Sequence, residues 1–493
     1  MLAGIVQHFE AKVKEKEAEW VARLKRDFSY EEVEREVLGL AREFFSEVME
    51  EVLKEVLEDG EVLEAVKRFG GKLAYRFVSY QAVEVTVGNG RKVRVRSPYF
   101  VKAGSKRGKK KRGPNGRGCH LLLEVLGFLG RCSSMFVDEV VKMALLCPSF
   151  AVAHEVLSSR GMEVDVKTIR RLCRLLGAVG LAHRGAISLA SREPILGKTV
   201  VIGIDGGRLR TRRKKRGRRA AGLKRSGFST PWREPKLFTI YLVDEEGRVE
   251  KTWSPLHDAT LGDADEMFFL LAEYLRKLGI EQAGRVVFVG DGAEWIWTRV
   301  SRLIEELSLD SGSVFEVVDY FHATSHLWKL VELRKDMSSK EKKRLYAQWK
   351  RLLWEGEVEG LKKEVARQAR GKVRKQMLRG LKYFQTHASR MQYARLKAEH
   401  VPQGSGGVES AIRRVINLRL KAPGMFWTPA MAEYFLFLRS QLISGRWAIL
   451  MHRVAGRRRD QAEELKGGGA RFAGSSHTEE KNFTYKKTGT YDI

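Results

Sequence analysis

The chain has 493 residues, 43% of them hydrophobic, enough for about two to four cored domains, which excludes a disordered polycation. Lys and Arg outnumber Asp and Glu by 91 to 61, a formal charge of +30, so a polyanion is the expected partner. No apolar run approaches the roughly 20 residues of a membrane span, and the N-terminus lacks a secretory pattern, so nucleic acid stands ahead of a membrane surface.

Residues 1–75 read as helical, with apolar positions at helical spacing in "EEVEREVLGLAREFFSEVMEEVLKEVL". This segment is either a solvated amphipathic helix pair or a dimerisation arm. The period then switches to two. In "VEVTVGNGRKVRVRSPYF", Val83, Val85 and Val87 alternate toward a Gly88-Asn89-Gly90 turn and Val93 and Val95 away from it, which predicts a hairpin. A glycine- and lysine-rich linker completes a basic region over 76–118. Cys119, Cys132, Cys147 and Cys173 lie far apart with no CxxC pair, as expected of reduced thiols in a cytoplasmic protein.

Helical patterning returns over 119–196. Ser149 and Asp165 are placed to cap two short helices, and the second has Val166, Ile169, Leu172, Cys173 and Leu176 on one face. Lys167, Arg170, Arg171 and Arg174 lie on the other, which makes a helix-turn-helix candidate for DNA binding; an ordinary helical hairpin is the alternative.

From residue 197 the texture becomes α/β. "KTVVIGI", "LFTIYLVD", "RVVFVG" and "VFEVVD" read as buried strands with helices between them. Asp205, Asp291 and Asp319 each end an apolar strand, the position where functional groups gather in α/β sheets. Paired carboxylates there repel unless a cation lies between them, and Mg²⁺ takes carboxylates together with phosphate oxygens. Asp205 would then hold metal, with Gly206 and Gly207 clearing room for a phosphodiester. The basic run after them, including Arg208, Arg210, Arg212, Arg213, Lys214 and Lys215, would bind the flanking backbone.

"IGIDGGRLRTR", "FVGDGAEWIW", "VVDYFHATSHLW" and "QGSGGVESAIRRVINLRLKAPGMFW", in that order, resemble DDE transposases of bacterial insertion sequences. The resemblance spans roughly residues 197 to 445. It implies an RNase H-like core with two Mg²⁺ ions, which Mn²⁺ would replace, held by Asp205, Asp291 and Glu409. Asp319 and His322 match the Asp-x-x-His element of Mutator-like relatives, with His322 catalytic and Asp319 either a metal ligand or an orienting group. The implied partners are duplex DNA, at element ends and target, and a second copy of the chain. The implied setting is a bacterial or archaeal cytoplasm, close to the nucleoid. "SPYFVKAG" departs from relatives that carry a cysteine ribbon there, which leaves the helix-turn-helix as the reader of element ends.

The expected fold is multidomain α+β. A helical and β-hairpin N-terminal region precedes the helix-turn-helix-like domain over 119–196. An RNase H-like core over 197–330 and 401–455 is interrupted by an all-α insertion over 331–400, and a disordered basic tail follows over 456–493. Arg413, Arg414 and Arg419 are expected at phosphates, Trp295 and Trp297 in the core, and Ser405 in a turn. His326 is expected to pack or touch DNA, and Glu433 is read as solvated. The competing functions are a structure-specific nuclease on the same core and a DNA-binding regulator that has lost the chemistry.

Overall fold

A computed structural model of the chain describes residues 2–102, 118–187, 189, 194–214 and 227–466. Three helices, α1 (Leu2–Asp27), α2 (Tyr30–Glu58) and α3 (Gly60–Lys72), open the chain. Strands β1 (Tyr75–Thr86) and β2 (Lys92–Lys102) form the expected hairpin, with Val83 opposite Val95 and Val85 opposite Val93. The alternating valines make one buried face, packed with Leu53 and Leu57 of α2 and Val66 of α3. At the turn, Gly90 takes φ +87°, and the Asn89 amide donates to the Arg42 carbonyl and the Ser46 hydroxyl, each at 2.8 Å. Strand β3 (Gly118–Cys119) adds a short third strand.

Helices α4 (Leu121–Val125), α5 (Ser134–Leu146), α6 (Phe150–Ser159) and α7 (Val166–Ala182) follow. Ser149 and Asp165 cap α6 and α7 by accepting the backbone N–H groups of Val152 and Thr168. Ile169, Leu172, Cys173 and Leu176 are buried, whereas Lys167, Arg170 and Arg174 are exposed. Arg171 departs from the expected basic face. It turns inward and donates to the Gly130 carbonyl at 3.0 Å, so it braces a turn.

The central sheet contains β4 (Thr199–Gly206), β9 (Lys236–Val243), β10 (Leu256–Thr260), β11 (Arg285–Gly290) and β12 (Val314–Val318). Between β4 and β9 the chain runs out and back as the two arms of one narrow antiparallel ribbon, in which β5 (Leu209–Arg210) pairs with β8 (Trp232–Arg233) and β6 (Arg213–Lys214) with β7 (Phe228–Ser229). The sheet order is β10-β9-β4-β11-β12. Pairing is antiparallel from β10 through β4 and parallel from β4 through β12.

Helix α8 (Ala264–Leu278) follows β10, α9 (Glu294–Glu306) follows β11, and α10 (Tyr320–Glu332) follows β12. Four more helices, α11 (Ser339–Trp354), α12 (Val358–Gln368), α13 (Arg374–Thr386) and α14 (Tyr393–Ala398), come before the chain returns to the sheet. Their buried Trp349, Leu361, Phe384 and Tyr393 share one apolar cluster with the sheet. Helix α15 (Gly406–Ile412) then runs through a π-turn at Arg413–Asn417 into α16 (Leu418–Leu420). Helices α17 (Pro429–Ile443) and α18 (Trp447–Lys466) complete the described chain.

Two expectations change here. The tail read as disordered from 456 begins as the second half of α18; residues 467–493 lie outside the described residues. Arg457 and Arg458 hold that helix by donating to the Phe128 carbonyl at 3.1 Å and Glu124 at 2.7 Å, so these two arginines bind protein. Second, the apolar residues of α5–α7 form one cluster with Phe435, Leu436, Phe437 and Leu450 of α17 and α18, so segment 119–196 has no core of its own. The sheet also contains a strand not expected from the sequence, β10, which carries no apolar alternation. Its Asp258 is fully buried, accepting from the Arg184 guanidinium at 2.9 Å and the Tyr274 hydroxyl at 2.7 Å.

Candidate active site

Register fixes the first pair of carboxylates. Gly290 of β11 lies opposite Ile204 of β4, so Asp291 and Asp205 leave two neighbouring parallel strands side by side. Val318 of β12 lies opposite Gly290, which brings Asp319 abreast on the next strand. Three strand-end aspartates therefore line one edge of the parallel half of the sheet, where loops depart and a crevice opens.

Glu409 reaches this edge through α15. Gly203 of β4 allows that approach, because a Cβ there would stand 2.9 Å from Val408 Cβ. Gly407 does the same on the helix, where a Cβ would meet the Tyr241 ring at 2.8 Å. The loop before α15 is held by Asp319, whose two carboxylate oxygens accept the backbone N–H groups of His322 and Ser405. The Ser405 hydroxyl in turn donates to Glu409 Oε1 at 3.0 Å.

Asp205 and Asp291 are half-buried and Glu409 is exposed. Burial pushes the Asp205 carboxyl up to about 7, against the Gly206 N–H that stabilises its charge; the charges of Asp291, Glu409 and Glu234 add to the rise. The Asp291 carboxylate accepts from the Ala293 N–H at 2.9 Å. The Trp297 indole, buried beneath it, donates to the Asp291 carbonyl at 2.7 Å. Trp295 packs edge-on to Phe268 under the Lys236 ammonium.

Gly206 and Gly207 also lie against protein side chains. A Cβ at Gly206 would stand 2.4 Å from the Glu234 carboxylate, and one at Gly207 would stand 2.5 Å from Ile416. Glu234 is an acidic neighbour that no sequence signal marked.

His322 is exposed on the first turn of α10, its ring 5.7 Å from that of His326. His326 stacks flat on Tyr383 of α13, ring centroids 4.3 Å apart and planes 8° from parallel. Burial, with help from Lys329 and His322, lowers the His326 ring to about 4, so it is neutral near pH 7.

Arg208, Arg210, Arg212 and Arg213 are exposed along the arms. Arg210 covers the exposed Trp232 at 4.8 Å and Arg212 covers Phe228 at 4.2 Å. The Lys214 side chain and Lys215 lie outside the described residues. Arg413 is exposed beside the site, while the Arg414 guanidinium meets the His257 ring at 2.9 Å. Arg419 is not available to phosphate: it is 2% exposed, sits among the Phe150, Trp427 and Phe435 rings and donates to the Ala144 carbonyl at 2.9 Å. Glu433, expected to be solvated, is enclosed and accepts from the Thr260 hydroxyl at 2.8 Å and the Leu261 N–H at 2.7 Å.

Among the described residues no group of three or more His, Cys, Asp or Glu stands at the spacing of a preformed metal cage. The donors present are carboxylate oxygens, the chemistry a hard divalent cation takes, and the charges of Asp291, Glu409 and Glu234 act on Asp205 in addition to its burial. Mg²⁺ commonly takes only one or two carboxylates and completes its shell with water and substrate phosphate.

No family model matches the chain, and no curated protein matches its sequence. Among solved structures, the chain is similar to the Drosophila P element transposase strand transfer complex, with 13% identity over 64% of this chain and 93% of that one. The TM-score of that match is 0.30, a likeness too distant to decide fold or function. No helix among the described residues is long and apolar enough to cross a membrane.

Proposed function

We propose that the chain is a DNA transposase of the DDE type, with an RNase H-like core interrupted by the helices α11–α14. What supports this reading is that Asp205 and Asp291 end neighbouring parallel strands and that Glu409, although it follows a long helical block, is close enough for its charge to act on Asp205. The +30 charge and the exposed arginines on the arms support a nucleic-acid substrate.

Asp205, Asp291 and Glu409 would hold Mg²⁺, replaceable by Mn²⁺, which when bound stabilises charge on the attacking and leaving oxygens of phosphoryl transfer. The protein supplies the rest. Asp319, with both oxygens engaged by backbone donors, positions the loop that delivers Glu409. Ser405 orients the Glu409 carboxylate. His322, exposed next to Asp319, is available to a phosphate of bound DNA. A water oxygen attacks the phosphorus in line, the bond to the 3′ oxygen breaks, and that oxygen takes a proton to become the free 3′-OH. The 3′-OH then attacks a target phosphodiester, joining one strand as a target 3′ oxygen leaves. Lys167, Arg170 and Arg174 on α7 would contact the element end, and the arms would hold the flanking backbone.

The test is Mg²⁺-dependent nicking of a duplex carrying the DNA that borders the gene, by the wild type and by Asp205→Asn and Asp291→Asn. Joining of the cut ends to a second duplex supports the transposase. Cleavage without joining favours a nuclease, and metal-independent binding without cleavage favours a regulator.

A further inference from the structure

Helix α13 sends one side chain to the carboxylate edge that no motif marked. The Tyr383 hydroxyl is buried and has no hydrogen-bond partner among the described residues. A buried polar group in that state is costly unless a ligand completes it. The ring lies directly against the turn after Asp291: a Cβ on Gly292 would stand 2.0 Å from Tyr383 Cε2 and 2.9 Å from its oxygen.

The ring is held on two sides. His326 stacks flat on it, and His387 meets its edge with ring centroids 5.2 Å apart. The His387 Nε2 also lies 3.2 Å from the Gly292 carbonyl, so the same histidine braces the turn that carries Asp291. The phenol is thereby fixed in position before any substrate arrives. Burial, and then the charges of Asp291 and Asp319, raise its pKa above the ordinary tyrosine range. It is therefore a neutral donor at working pH, one that adds no charge to a site already rich in carboxylates.

We propose that Tyr383 is a further catalytic residue, its hydroxyl donating a hydrogen bond to a phosphate oxygen of the nucleic acid bound at Asp205, Asp291 and Glu409. The proton stays on the phenol; the bond stabilises charge gathering on the phosphate as the phosphorus is attacked. This inference rests on the reading of the carboxylates as the reaction centre.

Tyr383→Phe removes the hydroxyl and keeps the ring between its histidines. The experiment measures cleavage at saturating duplex DNA in Mg²⁺, DNA affinity and Tm, with Asp291→Asn in parallel. The expected result is a loss of about 10- to 100-fold in rate, somewhat less than the removal of an oxyanion-hole donor. DNA affinity should change less than about twofold, and Tm should be unchanged or higher, since an unpaired buried hydroxyl has been removed. Full activity in Tyr383→Phe beside an inactive Asp291→Asn would overturn this inference alone. A drop in Tm of several degrees would also overturn it, by showing that the hydroxyl serves the fold. Full activity in Asp291→Asn would remove the carboxylate reading together with this inference.

Discussion

The carboxylate of Asp319, at the end of β12, accepts the backbone N–H of Ser405, 86 residues further along the chain. That bond fastens the loop before α15 to the sheet edge carrying Asp205 and Asp291, and so sets where Glu409 begins. The other Asp319 oxygen accepts the His322 N–H. Asp319→Asn would turn an amide NH₂ toward one of these donors, and an unmade bond at a buried carboxylate costs about 1–3 kcal/mol. Thermal unfolding in EDTA should show a lower Tm for this variant. A metal ligand would behave oppositely, since its neutralisation relieves repulsion in the metal-free protein. An unchanged or raised Tm would return Asp319 to the ligand set.

Asp205 gives stability a pH dependence whose sign follows from its raised pKa. Between the unfolded value, about 3.9, and about 7, the native state keeps a proton that the unfolded chain has lost. Its contribution therefore grows more unfavourable as pH rises through that window, by up to about 1.4 kcal/mol per unit, and is fully unfavourable above about 7. A divalent cation replaces the missing proton. Mg²⁺ should accordingly raise Tm more at pH 8 than at pH 5, and Asp205→Asn should lose that difference. If the variant keeps the wild-type pH profile, the carboxyl is not the group responsible.

Gly203 is the contact on which α15 rests. A Cβ at this position would lie 2.9 Å from Val408 Cβ and 3.1 Å from Thr239 Cγ2, so Gly203→Ala must shift the helix or the strand. Overpacking of this kind costs about 1–3 kcal/mol. Because Glu409 follows Val408 directly, cleavage should fall much further than DNA binding does. Parallel cleavage and binding assays check this; equal losses in both would mean that α15 placement matters to binding.

Lys167, Arg170 and Arg174 form the exposed basic face of α7, while half-buried Arg171 is held by the Gly130 carbonyl and Arg419 is buried. Replacing the first three with Ala should weaken duplex binding and flatten the slope of log affinity against log salt by about 2–3. Arg419→Ala should instead lower Tm, because it removes the cation that fills the space among Phe150, Trp427 and Phe435. Affinity measured from low salt upward, beside thermal melts, separates the two classes. A salt slope unchanged in the triple variant would exclude α7 from the interface.

Strands β4, β9 and β11 were legible because each is an apolar run buried on both faces, and the edge strand β12 because its run is mostly apolar although only Val317 and Val318 are buried. Strand β10 was not, since His257 and Asp258 are polar in sequence and buried only through partners such as Arg184 and Tyr274, which local pattern cannot supply. The arginines misled for a related reason. Charge in the sequence suggested a DNA face, yet Arg419 is buried and donates to the Ala144 backbone carbonyl. The strand-end aspartates could be read directly from their position. Glu409 was found only through the resemblance of its motif, and Tyr383 gave no signal, because its role depends on α13 folding back over Gly292.

The central claim is that Glu409 completes the site begun by Asp205 and Asp291. Its most direct test is strand cleavage and joining by Glu409→Gln in Mg²⁺ and Mn²⁺, with Glu305→Gln on the exposed face of α9 as control. Loss of a charged ligand should lower the rate by about three orders of magnitude, each tenfold corresponding to about 1.4 kcal/mol of barrier. Metal-free DNA binding should stay unchanged or tighten slightly as repulsion of phosphate falls. The control should cleave at the wild-type rate. Near-normal joining by Glu409→Gln, with Asp205→Asn and Asp291→Asn both inactive, would contradict the account.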